Sequence, residues 1–358
     1  MADALSLRDL IAAQIRANGP ISIATYMGLC LTHPRLGYYK GADPLGARGD
    51  FITAPEISQM FGELIGFFCV NIWQQMGEPK SFTLLELGPG RGTLMQDALR
   101  AASRAEGFLD AAHLQLFETN PTLRAMQAER LGPHNPYWQA ELGAVSDDPL
   151  IVVANEFFDA LPIRQYVKAA DGWHERLVGL RDDHLAFGLS PTAFGNETMP
   201  EPVRDAPDGA VFETSLAATH ALTEIGSRIA ASRGALLAID YGYATTQTGE
   251  TLQAVSRHEF ADPLDHPGEV DLSAHVDFGA LADAAKTLTL TVPPLATQGD
   301  FLRRLGIAQR AEQLVRANPG EAANIAAAVD RLTGPAQMGD LFKVFCAHSP
   351  GLQPAGFA

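Results

Sequence analysis

Apolar positions change their spacing near residue 80, and the change separates two kinds of element. Before it the period is helical. Leu10, Ile11 and Ile15 share one face behind Ser6-Leu7-Arg8-Asp9, where serine and aspartate three residues apart form a capping box. Gly19-Pro20 stops that helix and Ser22 is placed to cap the next. His33 to Tyr39 reads as a loop. A sharper start stands at Thr53-Ala54-Pro55-Glu56, with a capping threonine, proline in the first turn and glutamate three residues on. Ile57, Phe61, Leu64, Ile65, Phe68 and Ile72 then predict one long amphipathic helix ending near Gly77.

Beyond residue 80 short apolar runs alternate with helical patterns. Phe82 to Leu87, His113 to Phe117, Leu150 to Ala154 and Ala235 to Ile239 predict four strands, with a helix from Thr93 to about Ala105 after the first. Such alternation implies an α/β fold with a parallel, doubly wound sheet. Between the third and fourth strands, Ile163 to Lys168, Trp173 to Leu180 and His184 to Leu189 predict a meander with turns at Asp171-Gly172 and Asp182-Asp183. A proline-rich stretch over 191–207 and a helix from Leu216 to Ala231 lead back to the sheet. Helices at Phe301 to Val315 and Ala322 to Leu332 and a strand at Leu341 to Phe345 close the chain. The expected organisation is a helical N-terminal substructure (1–80), a core (81–160 and 210–358) and an inserted β-rich, substrate-binding substructure (161–209).

Composition narrows the function. The 358 residues are 46% hydrophobic and 19% charged, as expected of a soluble globule with attached substructure. No run of about 18 apolar residues appears, so no membrane insertion is expected. A formal net charge of -16 repels phosphate backbones and argues against nucleic acid. It suits a basic substrate, such as an arginine- or lysine-bearing protein segment, and serves solubility equally well. Cys30, Cys69 and Cys346 are scattered. Asp3 and Asp9 in an N-terminus without an apolar core argue against a leader, and the expected location is cytoplasmic. His258, His266 and His275, with the acids around them, match no ligand spacing, and no metal is expected.

The chemistry concentrates at Glu86-Leu87-Gly88-Pro89-Gly90-Arg91-Gly92, between the first strand and its helix. Glycines there allow a tight turn and close backbone approach to a ligand. A dinucleotide fingerprint is G-x-G-x-x-G, whereas here the spacing is G-x-G-x-G and Thr93 takes the third glycine position. Glu86 disfavours a pyrophosphate and suits a ligand with a positive centre, a sulfonium or a methionine ammonium. Glu118, ending the second strand, can accept both protons of a ribose diol; read plainly, it is a surface acid. After the third strand comes Asn155-Glu156-Phe157-Phe158-Asp159-Ala160-Leu161-Pro162. Glu156 and Asp159 could clamp a guanidinium, or merely cap the following turn. Asn155 with its aromatics also evokes the Asn-x-x-aromatic motif that holds a flipped base, but the prolines of that motif are missing.

Gly49-Asp50-Phe51-Ile52-Thr53-Ala54-Pro55-Glu56-Ile57-Ser58, the loop from Glu86 to Thr93, and Asn155 to Pro162 together resemble the MidA-type protein arginine methyltransferases, a family that includes the mitochondrial assembly factor for respiratory complex I. Ile239-Asp240-Tyr241-Gly242 and Pro267 to Phe278 fit as well, so the resemblance spans nearly the whole chain. It implies a class I methyltransferase core of seven strands, S-adenosyl-L-methionine as cofactor, and a protein arginine as substrate. For the mitochondrial members it implies the 49-kDa-type subunit of complex I. Carried over by position, Gly88, Gly90 and Gly92 line the cofactor and Glu118 meets its ribose; Glu86, by its charge, and Asn155 are further candidate cofactor-binding residues. Glu156 and Asp159 face the substrate as catalytic residues. The resemblance also lays Asp50, Thr53 and Glu56 over the pocket as a lid, although helix capping explains Thr53 and Glu56 equally well. Read from the chain itself, Asp240 and Tyr241 end the fourth strand beside the crevice as a substrate wall or a plain strand-end turn, and His275 is a candidate to face the substrate. Two other functions are compatible with these residues: a small-molecule methyltransferase, and a non-catalytic assembly chaperone that retains a cofactor pocket.

Overall fold

Every residue of the strand Phe82–Leu87 is buried, as expected of a strand covered on both faces. The computed structural model describes residues 5–40, 53–144, 148–256 and 259–357. Phe82–Leu87 runs parallel to Ala112–Phe117 on one side and to Leu150–Asn155 on the other. Outward from these the sheet adds Tyr137–Gln139 at one end and Gly234–Tyr243, Phe342–His348 and Ala296–Thr297 at the other. Phe342–His348 is antiparallel to Gly234–Tyr243, and Ala296–Thr297 is antiparallel to Phe342–His348. The sheet therefore has seven strands in series. Val276–Asp277, pairing with the end of Gly234–Tyr243, makes an eighth. The strands not predicted here are two or three residues long, too short to show a period.

Alternate side chains of the sheet feed two apolar layers. Phe82 and Leu84 pack with Phe61, Ile65 and Leu94 on one face. Leu85 and Leu87 pack with Leu222, Ile225 and Phe278 on the other. After Phe82–Leu87 the chain winds to one side, through Ala112–Phe117 and Tyr137–Gln139, then crosses to Leu150–Asn155 on the opposite side. That reversal opens a crevice beyond the carboxyl ends of the two central strands, where Leu87 stands opposite Phe117 and Ala154.

Two predicted helices are broken, each at an identifiable residue. The expected helix from Thr53 splits into Ala54–Ile57 and Gln59–Gln75. Ser58 between them is extended (φ -162°, ψ 139°), and its side chain, not that of Thr53, caps the longer helix by accepting from Met60 N. The break frees the short helix to carry Pro55 and Glu56 to the crevice. The expected helix over 301–315 likewise splits at Gly306 (φ 95°), giving Gln298–Leu305 and Ile307–Ala317.

A second sheet runs in the order Ile21–Ser22, Gly172–Arg181, Arg164–Ala169, Val211–Thr214, with His184–Phe194 also pairing to Gly172–Arg181. Its first strand comes from the N-terminal segment, so Ile21 faces Val178. One apolar cluster joins Leu7, Ile11 and Tyr26 of that segment to Ile163, Val178 and Leu272. A small third sheet orders Glu259–Ala261, Gln253–Ser256 and Asp271–Ser273. No helix among the described residues is long and apolar enough to cross a membrane.

Candidate active site

A cavity of about 280 Å³ occupies the crevice. Its floor is the glycine loop. Gly88 (φ 62°), Gly90 (φ 53°) and Gly92 (φ 77°) all take the left-handed conformation that glycine adopts without strain. A Cβ on Gly88 would come within 3.2 Å of the Phe157 ring. Gly88 and Gly90 line the cavity, whereas Gly92 lies behind it and opens the helix Thr93–Ala102. Gln127 braces the loop from below: its Nε2 donates to the Gly90 carbonyl at 2.6 Å, and its Oε1 accepts from Trp138 Nε1 at 2.7 Å. No motif marks Gln127. Its role is visible only once the helix Pro121–Leu131 is packed under the loop.

Carboxylates surround this floor. Glu86 is 2% exposed, and its Oε2 has no hydrogen-bond partner among the described residues. Burial pushes its carboxyl up to about 8. Glu118 lines the cavity just past Ala112–Phe117 and accepts the Asn120 N–H at 2.7 Å. Burial raises its pKa against the lowering effect of that bond. Asn155 ends its strand with Nδ2 donating to Glu156 Oε1 at 3.0 Å, while its Oδ1 has no partner among the described residues. Glu156 is itself left-handed (φ 51°), which is uncommon for a residue with a side chain. Its Oε1 also accepts from Ala54 N at 3.4 Å, tying the short N-terminal helix to the strand end. Burial, with the charge on Asp159 second, raises Glu156 to about 7.

Asp159 completes the wall. Its Oδ2 accepts the Tyr241 hydroxyl at 2.6 Å, and its Oδ1 has no partner among the described residues. Burial raises it to about 6. Tyr241 lines the cavity, but its neighbour Asp240 does not. Asp240 is fully buried, and its Oδ2 accepts the backbone N–H groups of Phe158 at 3.0 Å and Asp159 at 3.2 Å. Its carboxylate pins the 156–159 turn in place of forming a substrate wall. His275 also stands outside the cavity. Its ring packs edge-on against Tyr241 at 5.5 Å and lines a separate small pocket with Tyr243 and Asp277. Thr53 and Glu56 line the main cavity, and Glu56 Oε1 accepts the Thr93 hydroxyl at 2.5 Å. Asp50 lies outside the described residues. No group of three or more His, Cys, Asp or Glu among the described residues is placed to hold a metal ion.

Glu86, Asn155 and Asp159 each present a buried acceptor oxygen with no donor among the described residues. Such atoms are costly unless a ligand satisfies them, and here the missing partners are donors or positive charge. A doubly wound sheet with a glycine loop at its switch point and acids in the cavity wall defines an α/β enzyme for a nucleoside ligand with a cationic centre.

Comparison with known proteins identifies that ligand. Residues 64–294 match the family described as "Putative S-adenosyl-L-methionine-dependent methyltransferase". The protein arginine methyltransferase NDUFAF7 of Danio rerio is 36% identical over 95% of the chain and 86% of that relative. The Homo sapiens NDUFAF7 is 34% identical over 93% of the chain and 81% of that relative. A crystal structure from Burkholderia thailandensis bound to S-adenosyl-homocysteine matches with TM-score 0.86 and 30% identity, over 98% of the chain and 93% of its own. The chain therefore belongs to the S-adenosylmethionine-dependent methyltransferase family that includes the NDUFAF7 proteins. It is a methyltransferase, and S-adenosylmethionine is its cofactor.

Proposed function

We propose that the chain methylates an arginine of a protein, the target being the 49-kDa-type subunit of respiratory complex I or its equivalent. The relatives' name, protein arginine methyltransferase, supports this reading. The observation that carries it is the pair Glu156 and Asp159, two carboxylates at the strand end with Asp159 Oδ1 free to accept a donor.

Gly88 and Gly90 let the backbone approach the cofactor closely, and Glu86, Glu118 and Asn155 bind it. Glu86 meets positive charge and Glu118 accepts hydroxyl protons. The cofactor supplies a methyl group on a sulfonium, already a good leaving group. The protein's work is therefore mostly positioning. Asp159 accepts a guanidinium N–H at Oδ1, and Glu156 fixes the plane of the group and takes up the proton that the nitrogen sheds. A carboxyl near 7 can do both at neutral pH, because it is neither permanently charged nor permanently protonated. Thr53 and Glu56 wall off the cavity on the solvent side.

Mass spectrometry of complex I subunits from cells with and without this gene tests the reading. A methyl mass difference on an arginine of the 49-kDa-type subunit is expected. Identical spectra for every subunit would contradict it.

A further inference from the structure

The acidic wall continues past Glu156 and Asp159. Asp271 lines the same cavity from the strand Asp271–Ser273, and no role described above uses it. Its Oδ1 accepts the Tyr39 hydroxyl at 3.2 Å. One contact ties this segment to Asp159 and two more fix it to its other neighbours. Asp271 pairs with Val255, the Ala274 N–H donates to the Asp159 carbonyl at 3.0 Å, and Gly268 (φ 84°) lets the chain press against the N-terminal loop. A Cβ on Gly268 would fall 2.2 Å from the Leu36 carbonyl oxygen, so no other residue fits there without a backbone shift.

The two aspartates are built alike. Tyr241 donates to Asp159, and Tyr39 donates to Asp271. Burial raises the Tyr39 phenol well above its usual value, with the charges of Asp271 and then Asp159 adding to it, so Tyr39 lies within electrostatic reach of both. An acidic cluster alone would say little. Here one member, Asp159 at 9% exposure, keeps an oxygen with no partner among the described residues, an acceptor that a ligand donor can satisfy.

Resting on the arginine reading above, we propose that Asp271, positioned by Tyr39, is a third carboxylate for the target side chain, beside Asp159 and Glu156, and makes the cavity selective for a guanidinium over an ammonium. A guanidinium is planar and carries five N–H donors in a rigid fork, so acceptors on separate elements can take different edges of it. An ammonium is a compact, strongly hydrated point charge that Asp159 alone can meet. Removing Asp271 should therefore cost the first cation far more than the second.

The test uses the full chain saturated with S-adenosylhomocysteine and titrated with methylguanidinium or methylammonium, followed by ligand-observed NMR. Wild type should prefer methylguanidinium. Asp271→Asn should weaken methylguanidinium by about tenfold or more and methylammonium by less than about threefold. S-adenosylhomocysteine affinity should not change, and Asp271→Glu should recover part of the preference. Equal losses for both cations, or none, overturn the assignment of Asp271 while leaving the arginine reading intact. A wild-type protein with no preference overturns both. Should the Asn variant fail to fold, Tyr39→Phe carries the test: it keeps the ring and should reduce the preference in the same direction, and an unaltered preference overturns the proposal.

Discussion

The Tyr241 hydroxyl donates to Asp159 Oδ2 at 2.6 Å and leaves Oδ1 as the acceptor without a partner among the described residues. One phenol thus sets which carboxylate oxygen is available in the cavity. Tyr241→Phe removes the donor and keeps the ring. Losing one partner of a buried acceptor costs about 1–3 kcal/mol. Steady-state kinetics should show kcat falling by about tenfold, with cofactor affinity kept. Unaltered kcat would remove Tyr241 from the account.

The pH profile follows from Glu156. Its carboxyl is raised to about 7, and the form that accepts a proton is the ionised one. Activity should therefore rise as pH climbs from 6 to 8, the opposite of what a required protonated acid would give. In Glu156→Gln turnover should drop by about a hundredfold, the typical contribution of one acid–base group, and the rise should flatten. Undiminished methylation by that variant would sink the role.

Glu86 trades stability for binding. A carboxyl whose pKa is raised on folding is penalised as pH climbs above its ordinary value of 4.5, and the penalty grows until pH reaches the folded value of about 8. At pH 7 this amounts to about 3 kcal/mol at most. Glu86→Gln should raise the Tm of the free protein by a few degrees and weaken S-adenosylmethionine by about tenfold or more. Calorimetry measures both. A lower Tm with unaltered affinity would mean that Glu86 has a structural partner instead.

The helix Gln59–Gln75 rests its glycines on Thr93–Ala102. A Cβ on Gly66 would lie 2.3 Å from the Ala98 carbonyl oxygen, and one on Gly62 would lie 2.6 Å from Asp97 Cβ. Gly66→Ala should cost about 1–3 kcal/mol by overpacking. Gly188→Ala, which meets nothing within 4 Å, should be near neutral. Urea denaturation of the two variants decides whether this packing is tight.

These examples also mark what the sequence could reveal. The glycine loop and the Asn155 to Asp159 turn are legible because each follows an apolar run that fits a buried parallel strand, and Glu118 because it follows a shorter run in which Leu114 and Leu116 alternate with His113 and Gln115. The break at Ser58 was not legible, since the helical period of Ile57, Phe61 and Leu64 continues straight across it. Asp240 reads as substrate-facing because it ends the fourth strand beside the crevice, and His275 because it lies in the stretch rich in histidines and acids over 258–277. Side chains alternate along a strand, so the neighbour of a cavity residue points elsewhere, and Asp240 turns to the backbone of Phe158 and Asp159. Gln127 and Tyr39 reach the site through tertiary packing alone, and no local spacing announces them.

The most direct measurement is to incubate the purified chain with methyl-labelled S-adenosylmethionine and a protein extract, then hydrolyse the labelled product and separate its amino acids. The account predicts label in methylarginine, lost with Glu156→Gln while cofactor binding persists. Label in a small molecule or in methyllysine, or no transfer despite cofactor binding, would contradict it.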